Sequence, residues 1–494
     1  MKEEREKTKE SVRKKIFQQS ETWKNNNKRK NANIFKVVYI FIGIFALMAG
    51  RYIYFMIAES PVQINNSYNR RQDLLAEKYV RGKILASDGT VLAQTVTGSD
   101  GKEKREYPYG QVFSHVVGSV GRGKTGLELA ENFTMLSSHI NVISQAITQM
   151  QGNKIVADDI VTTLNIELQK VAYEALGNRK GAAVAIEPAT GRILAMVSKP
   201  SYDPNTIAAN WDSLVSDTTG NSTLLNRATQ GLYAPGSTFK IVSLLEYLKE
   251  HPDDYESYTY ECKGSAMFGD RRISCYNDHV HGKQNLKESL ANSCNDSFAH
   301  IGTVLNLKSY KNTAEKLMFN KSLSLRIPYN KSSFSLSSKD SLNEIAQTAM
   351  GQGKTQITPL QSALISSAIA SQGKMMRPYI VEKVQTSTGY VARSTKAKVL
   401  SRSMTKKQAS IVKEYMEEVV NHGTGTALKN RKYQVAGKTG SAEYDSTGAS
   451  HAWFTGFAPA NDPKIAVSII VESSGTGSEY AVPIAKKMFE SYLN

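Results

Sequence analysis

Three cysteines in 494 residues are too few for a disulfide framework. An oxidising compartment would still permit Cys262 and Cys275 to bridge. His279 and His281 follow closely, so these four residues also form a conceivable zinc set, but their spacing fits no standard ligand pattern. A disulfide or two free thiols is the preferred expectation. The chain lacks a G-x-S-x-G elbow, so its eight histidines do not support a Ser-His-Asp nucleophile and read as structural or surface residues. Internal repeats are absent and low complexity is confined to the basic tail, which excludes solenoid and fibrous architectures. Acidic residues are the scarcer charge, 45 against 62 Lys and Arg, giving a formal net charge of +17. Much of that excess is local, because the first 36 residues carry twelve Lys or Arg against five Glu. No nucleic-acid partner is implied.

A hydrophobic content of 40% supports one or two packed domains. After the tail, VVYIFIGIFALMAG (37–50) is uncharged, and the apolar stretch continues past Arg51 to residue 58. Bracketed by Lys36 and Glu59, it has roughly the 20 residues needed to cross a bilayer if Arg51 snorkels to the interface. No small-residue cleavage site follows, so a retained anchor is expected rather than a removed signal. The positive-inside bias places 1–36 in the cytoplasm as a tail, 37–58 in the membrane, and the remainder outside.

Residues 59–153 are polar and turn-rich, with short strand-like pieces at 83–86 and 91–93 around Ser87-Asp88-Gly89-Thr90, which predicts a small β-containing module. A larger domain, 154–494, opens with a strand at 160–164, a helix at 166–176 and paired strands at 181–187 and 191–197. A mainly helical block follows, with helices expected at 237–250, 286–291, 342–349 and 359–371. Strands return at 434–440, 452–458 and 465–471 before a closing helix at 483–493. This order is α+β, with early and late strands sharing one sheet.

The chemistry concentrates at YAPGSTFK (233–240), which runs straight into the apolar IVSLLEYL. Among Phe239, Ile241 and Val242, Lys240 loses hydration as an ammonium, so its pKa falls and the neutral amine can act as a base. Ser237 lies at i−3 on the same face, and its hydroxyl needs such a base to become nucleophilic. The unpaired amides at the helix start favour an oxyanion there. The alternative is a helix cap beside a snorkelling lysine, and S-x-x-K alone decides little because it recurs, for example at Ser11 and Ser371. Two further motifs supply context. Ser293-Cys294-Asn295 offers a hydroxyl to relay protons and an amide to hold a substrate backbone. Lys438-Thr439-Gly440-Ser441 ends a strand, where Lys438 adds positive potential, Thr439 and Ser441 can bond a carboxylate, and Gly440 admits an extended peptide. The amide of Ser441 could complete an oxyanion hole. Only the Ser237 set places S-x-x-K, S-x-N and K-T-G in that order within the large domain.

That trio is shared by penicillin-binding proteins and serine β-lactamases. From about Asn69 onward the chain resembles a class B penicillin-binding protein, through RGKILASDGTVLA, YPYGQVFSHVVGSV, TGLE, GAAVAIEPATGRILAMVSKPSYDPN, NRATQGLYAPGSTFK, HGKQNLKESLANSCN, MGQGKTQITPLQ, GTGTA, AGKTGSAE and HAWFTGFAP. The resemblance implies a transpeptidase fold with an antiparallel sheet, flanking helices and a helical subdomain, set on a pedestal or dimerisation-like module at 59–153. It further implies D,D-transpeptidation of peptidoglycan stem peptides. Ser237 would be the nucleophile, Lys240 the base, Ser293 the proton relay and Asn295 the positioning group, with Lys438 sharing proton transfer through Ser293. Lys438, Thr439 and Ser441 would recognise the substrate's terminal carboxylate, with Gly440 completing the substrate-binding set by admitting the peptide, and Ser441 standing where the family usually has Thr. The implied partners are β-lactams, the membrane and a membrane glycan polymerase; no metal or organic cofactor is called for. Since no stretch resembles a glycosyltransferase, a monofunctional enzyme is expected. A β-lactam-hydrolysing or β-lactam-sensing protein, or an idle scaffold of the wall-building complex, are the competing readings.

Overall fold

A computed structural model describes residues 2–56, 71–430, 432–443 and 450–494. It divides into two units at Arg70 and Arg71. The first is a helix, Lys2–Tyr54, whose segment Ile34–Tyr54 is 21 residues long, apolar and unburied, enough to cross a membrane. The expected end of the anchor at 57–58 and the start of the next module at 59–70 lie outside the described residues.

Two sheets organise the second unit. The larger is antiparallel, in the order Ala436–Glu443, Ser450–Ala458, Ile465–Val471, Gly181–Ile186, Ile193–Lys199. Early and late strands therefore share one sheet, as their apolar runs predict. Alternation of side chains sends Ala183, Phe454 and Ile469 to one face and Val184, Phe457 and Ile470 to the other. The first face packs against helices Ile166–Leu176 and Gly477–Leu493, the second against Pro359–Ala370. With both faces covered, every residue of Ile465–Val471 is buried.

The closing helix begins at Gly477 rather than at Pro483. Its cap is Thr476, whose hydroxyl accepts from Glu479 N, so Pro483 sits inside the helix instead of opening it. Helix Lys406–Asn421 was not expected; its signals are the capping box of Thr405 and Gln408 and the buried spacing Ala409, Val412, Tyr415, Met416, Val419. Nor is 237–373 uniformly helical. It carries two hairpin-like pairs, Thr259–Cys262 with Gly282–Asn285 and Ser265–Phe268 with Arg271–Ser274.

The second sheet has six strands, in the order Val391–Ser394, Val381–Gln385, Asp159–Thr162, Ile84–Leu85, Val91–Thr97, Glu103–Glu106. The strand pieces read near 83 and 91 thus pair with each other, and the first also pairs with Asp159–Thr162, which in turn joins Val381–Gln385, a partnership that local patterning does not encode. Beneath this sheet Glu128 is fully buried and accepts from Arg81 at 2.7 Å and Arg105 at 2.8 Å, which links the RGKILASDG and TGLE segments.

Candidate active site

Backbone sterics hold the nucleophile's turn. Gly236 has φ +54°, and a Cβ there would lie 2.6 Å from Ser441 O, so glycine alone allows this turn to meet the strand Ala436–Glu443. On its other side Gly236 N donates to Gly351 O at 2.8 Å. Gly440, in the strand, leaves space that brings Thr238 N within 3.2 Å of its missing Cβ. Trp453 Nε1 donates to Ala234 O at 3.1 Å and fixes the approach to the turn. Ser237 itself lies in a 3-10 turn, Gly236–Phe239, and the α-helix starts only at Lys240 and runs to Glu250, a correction to the single helix expected from 237. Positions i and i+3 eclipse in a 3-10 turn, so Ser237 and Lys240 remain aligned.

Ser237 is half-buried, and its Oγ makes no hydrogen bond among the described residues. Lys240 is fully buried, and its amine donates to Ser293 O at 2.6 Å, Asn295 Oδ1 at 2.7 Å and Ser293 Oγ at 3.4 Å. Burial lowers its pKa to about 8. Lys438, also fully buried, donates to the same Ser293 Oγ at 2.8 Å and to Thr439 O at 2.9 Å. Loss of hydration and then the neighbouring Lys240 charge press Lys438 well below the ordinary lysine value. Two amines therefore converge on one hydroxyl, and Ser293 presents it from a left-handed backbone, φ +56°.

Asn295 is engaged at both ends of its amide in this structure, accepting from Lys240 and donating through Nδ2 to Ser274 O at 2.9 Å. Thr439 is buried and shares a short hydrogen bond with Thr424, while Ser441 stands half-buried beside the Ser237 turn. Thr424 carries no role in the sequence reading. Its signal was the GTGTA stretch, whose Gly423 packs so closely that a Cβ would fall 2.2 Å from Ala291 O. The three motif segments, one after a turn, one at a helix start and one on a strand, thus meet at Ser293.

Of the two alternatives expected for Cys262 and Cys275, the free thiols are the one observed. Cys262, Cys275 and Cys294 are buried free thiols, and His281 joins them, whereas His279 does not belong to the converging set.

Residues 181–490 match the penicillin binding protein transpeptidase domain. The chain belongs to that family. Residues 81–159 match the penicillin binding protein A dimerisation domain. The chain is 30% identical over 457 residues to the peptidoglycan D,D-transpeptidase PbpA of Mycolicibacterium smegmatis, covering 86% of this chain and 91% of that one. Its structure is similar to the D,D-transpeptidase domain of a peptidoglycan glycosyltransferase from Eggerthella lenta, with TM-score 0.76, 33% identity, and coverage of 84% of this chain and 98% of that one. It is also similar to the penicillin G acyl-enzyme complex of penicillin-binding protein A from M. tuberculosis, at TM-score 0.77 and 28% identity over 84% of this chain and 100% of that one. The α+β transpeptidase architecture expected of a penicillin-binding protein is the one observed.

Proposed function

We propose that this chain is a membrane-anchored, serine-type D,D-transpeptidase that cross-links peptidoglycan stem peptides and is acylated by β-lactams. The observation that carries the reading is the convergence of Lys240 and Lys438 on Ser293 Oγ, with Lys240 three residues after Ser237, whose hydroxyl has no partner among the described residues. Ser237 Oγ attacks the carbonyl between the two terminal D-alanines of a donor stem. Lys240, whose pKa near 8 supplies a substantial neutral fraction close to neutral pH, takes the hydroxyl proton. No hydrogen bond joins the two groups in the free protein; such contacts commonly tighten only once substrate is bound. Ser293, fed by Lys438, delivers a proton to the leaving D-alanine amine. The acyl-enzyme is then resolved by an amine of a neighbouring stem. The Ser237 and Ser441 amides hold the oxyanion, while Thr439 and Ser441 hydroxyls take the terminal carboxylate and Asn295 orients the donor.

Helix Lys2–Tyr54 anchors the chain through a single span, with the basic tail in the cytoplasm and the catalytic domain, 154–494, outside. Residues 59–153 form the pedestal, and a membrane glycan polymerase supplies the strands to be joined.

The test uses the full chain in detergent with a donor peptide ending in D-Ala-D-Ala and a D-amino acid as acceptor. Exchange of the terminal residue, with penicillin consumed in a single stoichiometric burst, is expected. Continuous penicillin turnover would instead make the protein a hydrolase, and absence of any acyl-enzyme would make it a scaffold.

A further inference from the structure

We propose that Cys262, Cys275, His281 and Cys294 form a closed tetrahedral zinc site that clamps the Ser293–Asn295 segment. The donor atoms of all four residues lie within 4.8 Å of one another. Cys262 Sγ is 3.7 Å from Cys275 Sγ, Cys275 Sγ is 3.6 Å from Cys294 Sγ, and Cys262 Sγ is 3.4 Å from His281 Nδ1. Zinc–sulfur bonds of about 2.3 Å in a tetrahedron place two sulfurs about 3.8 Å apart, and a zinc–nitrogen bond of about 2.0 Å places sulfur and nitrogen about 3.5 Å apart. A disulfide needs its sulfurs at about 2.0 Å, and three thiols cannot all pair.

Buried cysteines also pack as small apolar groups, which is the plainer alternative. That account does not explain the imidazole nitrogen turned to Cys262 or the Gly264 amide aimed at its sulfur, although the Ser297 amide meets Cys294 as a helix cap. Gly264 N donates to Cys262 Sγ and Ser297 N to Cys294 Sγ, each at 3.4 Å, contacts that stabilise thiolates. The four donors come from separate pieces of chain. Cys262 ends one strand and His281 directly precedes its partner strand, Gly282–Asn285; Cys275 follows the neighbouring hairpin; Cys294 caps helix Asn295–Val304. Sequence spacing conceals the set, because Cys294 lies inside the S-x-N motif and reads as its middle residue.

Three thiolates and an imidazole select a borderline-soft tetrahedral ion, and four protein ligands leave no open position, so the ion is structural. As it binds, the thiols release up to three protons to solvent. Its effect on the active site is positional. Cys294 sits between Ser293 and Asn295, and the Asn295 amide is tied to the carbonyl of Ser274, the neighbour of Cys275. The ion thus fixes both sides of the bracket in which Ser293 O and Asn295 Oδ1 receive the Lys240 amine.

The experiment takes the full chain in detergent, purified without metal-affinity resin. Elemental analysis is expected to find one zinc per chain, absent in Cys262→Ser and in Cys275→Ala but present in His279→Ala. Stripping with a chelator and adding Co(II) should give thiolate-to-cobalt charge transfer with the intense visible bands of four-coordination, a readout that does not depend on the substituted variants folding. Removing zinc from the native chain should slow penicillin acylation about tenfold or more, and zinc should restore it. A purified chain without zinc that takes up neither zinc nor cobalt, or a Cys262–Cys275 disulfide in a non-reduced peptide map, would overturn the site. Zinc whose removal leaves acylation unchanged would overturn its hold on the S-x-N segment.

Discussion

Lys240 is the residue on which the chemistry turns. Its amine is fully buried, and its three donated contacts end on Ser293 and Asn295, the full complement of an ammonium, so loss of the proton that makes it a base also frees one of them. Replacement by methionine fills the same space without an amine. Lys240→Met is therefore expected to keep the melting temperature while cutting penicillin acylation by about 10²- to 10⁴-fold, measured by stopped-flow labelling. The pH dependence follows from the lowered pKa. Below about 8 the amine carries the proton that prevents it from acting as a base, so the acylation rate should rise with pH through about 8 and level off above it. A rate flat from pH 6 to 10 would exclude Lys240 as the base. At this scale the sequence displayed the charged and nucleophilic side chains but not their commitments. Asn295 bracing Lys240, Thr424 bonding Thr439 and Cys294 joining a thiol cluster are contacts between different elements, beyond the reach of helix or strand periodicity, and no local pattern records them.

Among the elements, those legible from sequence carry strong one-dimensional signals. Helices Ile166–Leu176 and Leu342–Ala349 have side-chain caps at Asn165 and Ser341, and strand Ile465–Val471 is an unbroken apolar run. The hairpin Val381–Gln385 with Val391–Ser394 was less readable, since an edge hairpin of mixed charge gives no indication of which sheet it extends. The 3-10 turn before Lys240 likewise depends on packing more than on propensity, being pressed between the Ala436–Glu443 strand and Gly351. Adding one carbon there tests that packing. Gly236→Ala forces a left-handed alanine against the Ser441 carbonyl, and about 1–2 kcal/mol of stability should be lost by chemical denaturation, with a larger proportional loss of acylation because the nucleophile is displaced. Full acylation in a destabilised Gly236→Ala chain would show that the turn tolerates displacement.

Across the whole molecule, the compact unit from Arg71 to Asn494 combines the transpeptidase sheet with a second sheet that draws strands from near residues 84, 160 and 390. The ion network of Glu128 with Arg81 and Arg105 secures the N-terminal strands of that second sheet, and its carboxylate is fully enclosed. Glu128→Ala leaves two guanidinium groups without their partner and should cost about 3–5 kcal/mol, read as a lower denaturation midpoint for a residue remote in sequence from the Ser237 motif. The most direct measurement for the account as a whole is the location of the covalent adduct. Full-length chain incubated with labelled penicillin, digested and mapped by mass spectrometry, should carry one stable label on the peptide containing Ser237, and Ser237→Ala should carry none. A label on any other serine, or one that survives in Ser237→Ala, would contradict the assignment of the nucleophile.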